Sequence, residues 1–213
     1  MRKIILFAII ILILLSFIVS VYYYPSLPEI VPIHWNATGE ADGFAPKEFG
    51  TLFLPIIEIF IALLLIVVPL IDPKKENIKK FMNQYNLFVI SIIGFFTYIH
   101  FLSISFAAGI DINIVQWLSP ATGLLFYMIG IMTKHAKQNY SIGFRTPWTL
   151  ANKKTWIKTH EKGALAFKIS GIIAFFGLLF PTIAIWLIIV PIIISAIGTI
   201  IYSYFIYKKI EKK

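Results

Sequence analysis

Four long apolar runs constrain this chain of 213 residues more than any other feature of its sequence. A helix that crosses about 30 Å of hydrocarbon needs roughly 20 consecutive, mostly apolar residues. The first run, residues 4–21, follows Arg2 and Lys3 and precedes Tyr22, Tyr23 and Tyr24, which suit an interfacial aromatic belt. No small-x-small cleavage site follows it, so it reads as an uncleaved anchor. The second run, residues 51–71, stops at Asp72-Pro73, where proline cannot continue a helix. Residues 87–133 and 163–207 would each measure on the order of 70 Å as one helix at about 1.5 Å per residue, so each must fold back. Gly109-Ile110-Asp111-Ile112-Asn113 supplies the turn in the former, and Pro181-Thr182 in the latter, with Pro191 as a kink further on. The expected fold class is all-α, a polytopic membrane helical bundle of about six transmembrane helices. A composition 59% hydrophobic and 14% charged agrees with bilayer as the solvent.

Charge placement tests the count, because Lys and Arg accumulate in cytoplasmic loops. With the N-terminus inside, Arg2, Lys3, the lysines of residues 74–80, the basic residues of 134–162 and Lys208 to Lys213 all fall on the inner side. Lys47 alone falls outside, and Lys168 lies within a span, near enough to its inner end to snorkel. An odd number of spans would strand one basic terminus outside. The expectation is therefore a multi-pass protein of the cell membrane with both termini cytoplasmic. It divides into an N-terminal helical hairpin, 1–80, with an extracytoplasmic loop at 25–50, and a four-helix region, 81–213, with a cytoplasmic loop at 134–162. The net charge of +9 then reports topology and attraction to anionic lipid, with no direct nucleic-acid binding expected. The absence of cysteine excludes disulfide and thiol chemistry.

Two loops can hold specific structure. Residues 25–50 carry prolines at 25, 28, 32 and 46 and dense turn formers from Asn36 to Gly43. Ile30, Val31, Ile33, Trp35 and Phe44 are too apolar to leave in water, which predicts a small folded cap. In residues 134–162, Gly143 before Arg145-Thr146-Pro147 predicts a tight turn. Asn152 predicts the cap of a short surface helix on which Trp156 and His160 share a face, with Trp148 and Trp156 at headgroup depth.

The run Pro32-Ile33-His34-Trp35-Asn36, followed by Gly39, Asp42-Gly43 and Lys47, resembles the outer-loop motif of the SdpI family of bacterial and archaeal membrane proteins. Asn139, Ile142-Gly143, Arg145-Thr146-Pro147-Trp148-Thr149, Trp156 and His160 resemble that family's second signature, between the fourth and fifth spans. The resemblance implies six spans, no known catalytic activity and no cofactor. It also implies a role in immunity to a secreted membrane-active peptide toxin, with a cytosolic repressor held at the membrane as a second partner.

Other readings of these residues stay open at this level. His34 with Glu40 and Asp42 admits a metal site, but one histidine beside scattered carboxylates lacks ligands, and loop-fixing hydrogen bonds or contact with a peptide suit it better. Asn36-Ala37-Thr38 fits the glycosylation pattern, yet an asparagine here serves a turn equally well. Arg145 can bind a phosphate or an acidic partner, or satisfy the carbonyls of its own turn. Glu58 and His100, at matched depths in spans two and three, are expected to pair across the bundle. They also carry the alternative reading, a small transporter or exporter, although no paired repeat supports it. No Ser-His, HExxH or paired-Asp arrangement points to an enzyme.

Overall fold

The computed structural model describes residues 3–212; Arg2 and Lys213, counted above among the inner charges, lie outside the described residues. Six long helices run alternately up and down. They are α1 (Lys3–Tyr23), α2 (Lys47–Ile71), α4 (Met82–Ala107), α5 (Ile114–His135), α7 (Lys153–Phe175) and α8 (Ala184–Glu211), with the short helices α3 (Lys75–Lys79) and α6 (Pro147–Ala151) between them. The expected turns are present: residues 108–113 join α4 to α5, and 3-10 turns at Phe176–Leu178 and Pro181–Ile183 join α7 to α8. Pro181 opens the second of these turns, which leads into α8, because a proline has no N–H to leave unpaired there and its fixed φ suits a first turn.

Five of the six long helices are long and apolar enough to cross a membrane. The exception is α7, whose first ten residues include Lys153, Lys154, Lys158, Glu161 and Lys162; it becomes apolar only from Gly163. Tertiary packing compensates. Lipid tails are as apolar as leucine, so helices in a bilayer associate through close backbone approach and hydrogen bonds rather than through hydrophobic burial. Gly123 and Gly130 of α5 meet Gly171 and Ala164 of α7 with no room for a side chain: a Cβ on Gly123 would lie 2.6 Å from the Gly171 carbonyl oxygen, and one on Gly130 2.7 Å from that of Ala164. Ser119 Oγ donates to the Ala174 carbonyl at 2.8 Å. On the other side of α7, Ser170 bonds Ser195 Oγ at 2.7 Å and the carbonyl of Pro191 at 2.9 Å, which ties α8 on.

The core of the other half gathers Ile9 of α1, Ala62 of α2, Ile78 of α3, and Tyr85, Val89 and Ile93 of α4. Tyr85 donates its hydroxyl to the Leu65 carbonyl at 2.6 Å. The loop between α1 and α2 is a two-stranded antiparallel hairpin, β1 (Ile30–Trp35) and β2 (Ala41–Pro46), added to an otherwise helical molecule. Its residues do not all leave water as expected. Val31 is buried, but Ile30, Ile33 and Phe44 remain exposed, because a two-stranded sheet has two faces and the bundle covers only one.

Candidate functional site

The outer-loop motif residues build the hairpin and its attachment. Asn36 forms the turn: its Oδ1 accepts from Thr38 N–H at 3.0 Å, Thr38 Oγ1 at 2.6 Å and Glu40 N–H at 3.0 Å, while its Nδ2 donates to Glu40. Gly39 closes the turn at φ +89°, in the left-handed region that glycine enters without a Cβ clash. A Cβ there would also strike the side chain of Asn113, 2.6 Å away. Asn113 Nδ2 donates to the Thr38 carbonyl at 3.1 Å, and its Oδ1 caps α5 by accepting from Gln116 N–H. One side chain thus fastens the hairpin tip to the turn between α4 and α5.

His34 Nδ1 and Asp42 Oδ1 are 2.5 Å apart across the strands, both largely exposed. Gly43, the partner of His34 in the register, leaves space for the His34 Cβ. Pro32 falls where the pairing becomes irregular, a position that requires no ladder N–H. Lys47 Nζ bonds Glu29 at 2.8 Å and lies over the Tyr24 ring, 4.9 Å from its centroid. Among the described residues no group of three or more His, Asp and Glu could hold a metal ion. Below the hairpin, His34, Trp35 and Asn36 line a cavity of about 480 Å³ whose walls are apolar residues of α4, α5 and α8, including Leu102, Leu118 and Ile189. Trp35 packs edge-on against Phe106, and its indole N–H is buried without a partner among the described residues.

At the opposite end, the inner-loop motif is a knot of backbone bonds. Asn139 is fully buried; its Oδ1 accepts from Ser141 N–H and Ile142 N–H, and its Nδ2 donates to the carbonyls of Lys137 and Ile142. Gly143 has φ +110° and lies so close to His160 Nε2 that a Cβ would collide with it. His160 Nε2 accepts from Phe144 N–H at 3.1 Å, which assigns the proton to Nδ1, 2.8 Å from the Trp156 carbonyl. Residues 153–162 precede the apolar part of α7, and burial there pushes the His160 imidazole down to about 4, opposed by its bond to the Trp156 carbonyl. Arg145 is exposed and donates through Nη1 to the Tyr140 carbonyl at 2.8 Å, satisfying its own turn with most of its donors still available. Thr146 caps α6, at whose first position Pro147 stands, and meets Ser203 of α8 at 3.0 Å.

Trp156 and the helix carrying it depart from expectation. Asn152 does cap a helix, accepting from Lys154 and Thr155 N–H, but that helix is α7 itself, continuous to Phe175 rather than a short surface element. Trp156 is 1% exposed, so it does not lie at headgroup depth as a free anchor. Its Nε1 donates to the Ala136 carbonyl at 2.9 Å and its ring stacks on His160 with centroids 3.9 Å apart. The physical reason is that the end of α5 closes over it, satisfying an N–H that would otherwise seek the interface. Trp148, half-buried, packs against Tyr204.

The expected Glu58–His100 pair is also corrected. Both are fully buried, yet no hydrogen bond joins them. Serines of α1 intervene. Glu58 accepts from Ser16 Oγ at 2.8 Å and from Thr97 Oγ1 at 3.2 Å, while His100 Nε2 is 2.8 Å from Ser20 Oγ. Ser20 Oγ is also 2.7 Å from the Thr51 carbonyl and 3.0 Å from that of Ser16. A hydroxyl with one proton serves a carbonyl by donating and the imidazole by accepting, so Nε2 carries the proton and Nδ1 is left without a partner. The cluster holds α1, α2 and α4 together and contains no cation facing Glu58 among the described residues.

Sequence reasoning missed Asp72, Asn113, Ser16 and Ser20. Asp72, read only as a helix stop, is buried; its carboxylate accepts from Lys74 N–H, Tyr140 N–H and Ser141 Oγ, pinning the inner loop to the end of α2. Ser16 and Ser20 stand four apart in the first apolar run, a spacing that puts them on one helix face and was the available signal.

Comparison with known proteins bears on both ends. A family model described as a domain of unknown function (DUF1648) matches residues 11–59, a stretch holding the hairpin together with Ser16, Ser20 and Glu58. The model of the SdpI/YfhL protein family matches residues 135–203, from the inner loop into α8. The chain is 25% identical to the immunity protein SdpI of Bacillus subtilis (strain 168) over 203 residues, 95% of each chain. It is 36% identical to the uncharacterized membrane protein YbgB of the same organism over 47 residues, 22% of this chain and 52% of that one. No solved structure matches the chain.

Proposed function

We propose, from the premise that this chain belongs to the SdpI/YfhL family of membrane proteins, that it is a non-enzymatic immunity and sensing protein acting against a membrane-active peptide. The observation that carries the reading is its alignment over nearly the whole of a protein named for immunity. The cavity beneath the hairpin supports it. Apolar walls from α4, α5 and α8 suit the side chains of a peptide that partitions into membranes, and the partnerless Trp35 N–H offers a donor to one of its carbonyls. With both termini cytoplasmic, the hairpin faces the outside, where such a peptide arrives. The exposed Arg145 guanidinium and the basic loop around it then face the cytosol and suit an acidic surface on a repressor.

Expression in a toxin-sensitive cell tests the reading. Survival of a membrane-active peptide should rise with the native chain, and Trp35→Phe, which keeps an aromatic ring and deletes the donor, should lower it. Unchanged killing across a panel of candidate peptides would overturn it. A second reading, a small exporter, is favoured by one observation: Glu58 is buried without a facing cation and His100 Nδ1 without a partner. Peptide or ion efflux that disappears in Glu58→Gln would select it.

A further inference from the structure

At the end of the bundle opposite the hairpin, the segment after α3, the end of α5, the inner loop and the start of α7 enclose a cavity of about 560 Å³. Its floor is buried and already satisfied: Trp156 and His160 stack there, and their ring nitrogens are committed to the Ala136 and Trp156 carbonyls and the Phe144 N–H. The amides of Asn77 and Gln138 at its wall are likewise committed, to carbonyls of the loop and of α6. Its mouth is different. Lys80, Lys134, Lys137 and Lys153 arrive there from separate segments, with Glu161 the single carboxylate among the lining residues. None of the four ammonium groups is in a salt bridge among the described residues, and Lys80 reaches only Asn77 Oδ1, at 3.3 Å.

Four like charges converging on one cavity repel one another, and a bound anion relieves that repulsion at several points together. Ammonium groups are compact point charges on flexible stems, suited to the dispersed oxygens of phosphate groups. We propose that this cavity binds a phosphate-bearing anion of at least two negative charges, either a free diphosphate or the headgroup of an anionic phospholipid with two phosphates. The proposal does not depend on the immunity reading. It needs only the convergence of the four lysines.

The full chain, purified in a nonionic detergent, tests it by thermal unfolding during titration with inorganic pyrophosphate, with diphosphatidylglycerol, and with phosphatidylcholine as the zwitterionic comparison. Pyrophosphate or diphosphatidylglycerol should raise the midpoint and phosphatidylcholine, whose single phosphate is balanced by its own choline cation, should not. The variant Lys80→Gln/Lys134→Gln/Lys137→Gln/Lys153→Gln should bind on the order of a hundredfold more weakly. A variant with the same charge loss at the same end, Lys75→Gln/Lys79→Gln/Lys154→Gln/Lys158→Gln, should bind nearly as the native chain does. Stabilisation by both ligands identifies any diphosphate as sufficient, and stabilisation by the lipid alone identifies the headgroup; either supports the site. The midpoint without ligand establishes that both variants fold. Stabilisation by neither ligand, or equal weakening in the two variants, would overturn the proposal in favour of diffuse attraction.

Discussion

Acid should loosen the end of the bundle opposite the hairpin through His160. A free imidazole titrates near 6.5, and burial against Trp156 holds this one down to about 4. Between those values the unfolded chain binds a proton that the folded chain refuses, so stability is fully present above pH 6.5, falls as the pH drops, and levels below about 4. At about 1.4 kcal/mol per pH unit, the interval is worth about 3 kcal/mol, a substantial part of a typical folding free energy. The structure supplies the reason: a proton on Nε2 would meet the Phe144 N–H, donor against donor, 3.1 Å away. Other groups also titrate in this range, so the assay is a difference. Unfolding of the native chain and of His160→Gln in detergent micelles, followed by tryptophan fluorescence from pH 7.5 to 4, should show the native chain losing about 3 kcal/mol more than the variant, whose amide oxygen still accepts from Phe144. Parallel pH profiles would refute the reasoning.

Two of the three glycines of positive φ, Gly143 and Gly109, separate backbone from packing. Gly143→Ala meets both a left-handed φ and the His160 ring and should destabilise by about 2–4 kcal/mol, whereas Gly109→Ala, at φ +87° with nothing within 4 Å, should cost only about 1 kcal/mol by the same thermal measurement. Gly171→Val forces a branched side chain against the Gly123 carbonyl, 2.5 Å from the new Cβ, and should separate α5 from α7, read as a loss of about 3 kcal/mol or failure to extract a folded protein. In a double-mutant cycle, Ser20→Ala and His100→Ala should be non-additive by about 1 kcal/mol, while Glu58→Gln and His100→Ala, which share no bond, should be nearly additive. Asn36→Ala removes the acceptor of three turn bonds and should expose the hairpin to proteolysis, with Asn36→Asp largely resistant.

Much of the candidate site was legible as residues but not as contacts. The hairpin turn at Asn36 and Gly39 follows from local chemistry, since asparagine bonds its own backbone and glycine accepts a positive φ. Where that turn docks is not local: Asn113 lies about 75 positions along and reaches the hairpin only because α4 and α5 bring it there. Asp72 shows the same limit, its partners Tyr140 and Ser141 standing 68 and 69 positions away. Burial of Trp156 was hidden for a related reason, because an aromatic residue near a helix end reads as an interface anchor until another helix covers it.

Hydrophobic run length and proline and glycine positions determined the helical bundle and its turns, because each acts on the chain over a few residues or over one bilayer crossing. Only the tertiary structure decided that Glu58 and His100 answer to the serines of α1 instead of to each other, that the apolar half of α7 packs on α5 along a seam of small residues, and that four dispersed lysines share one cavity. Those outcomes depend on which faces meet, and in a lipid-facing helix apolar on every side the periodicity that would reveal the inner face is absent.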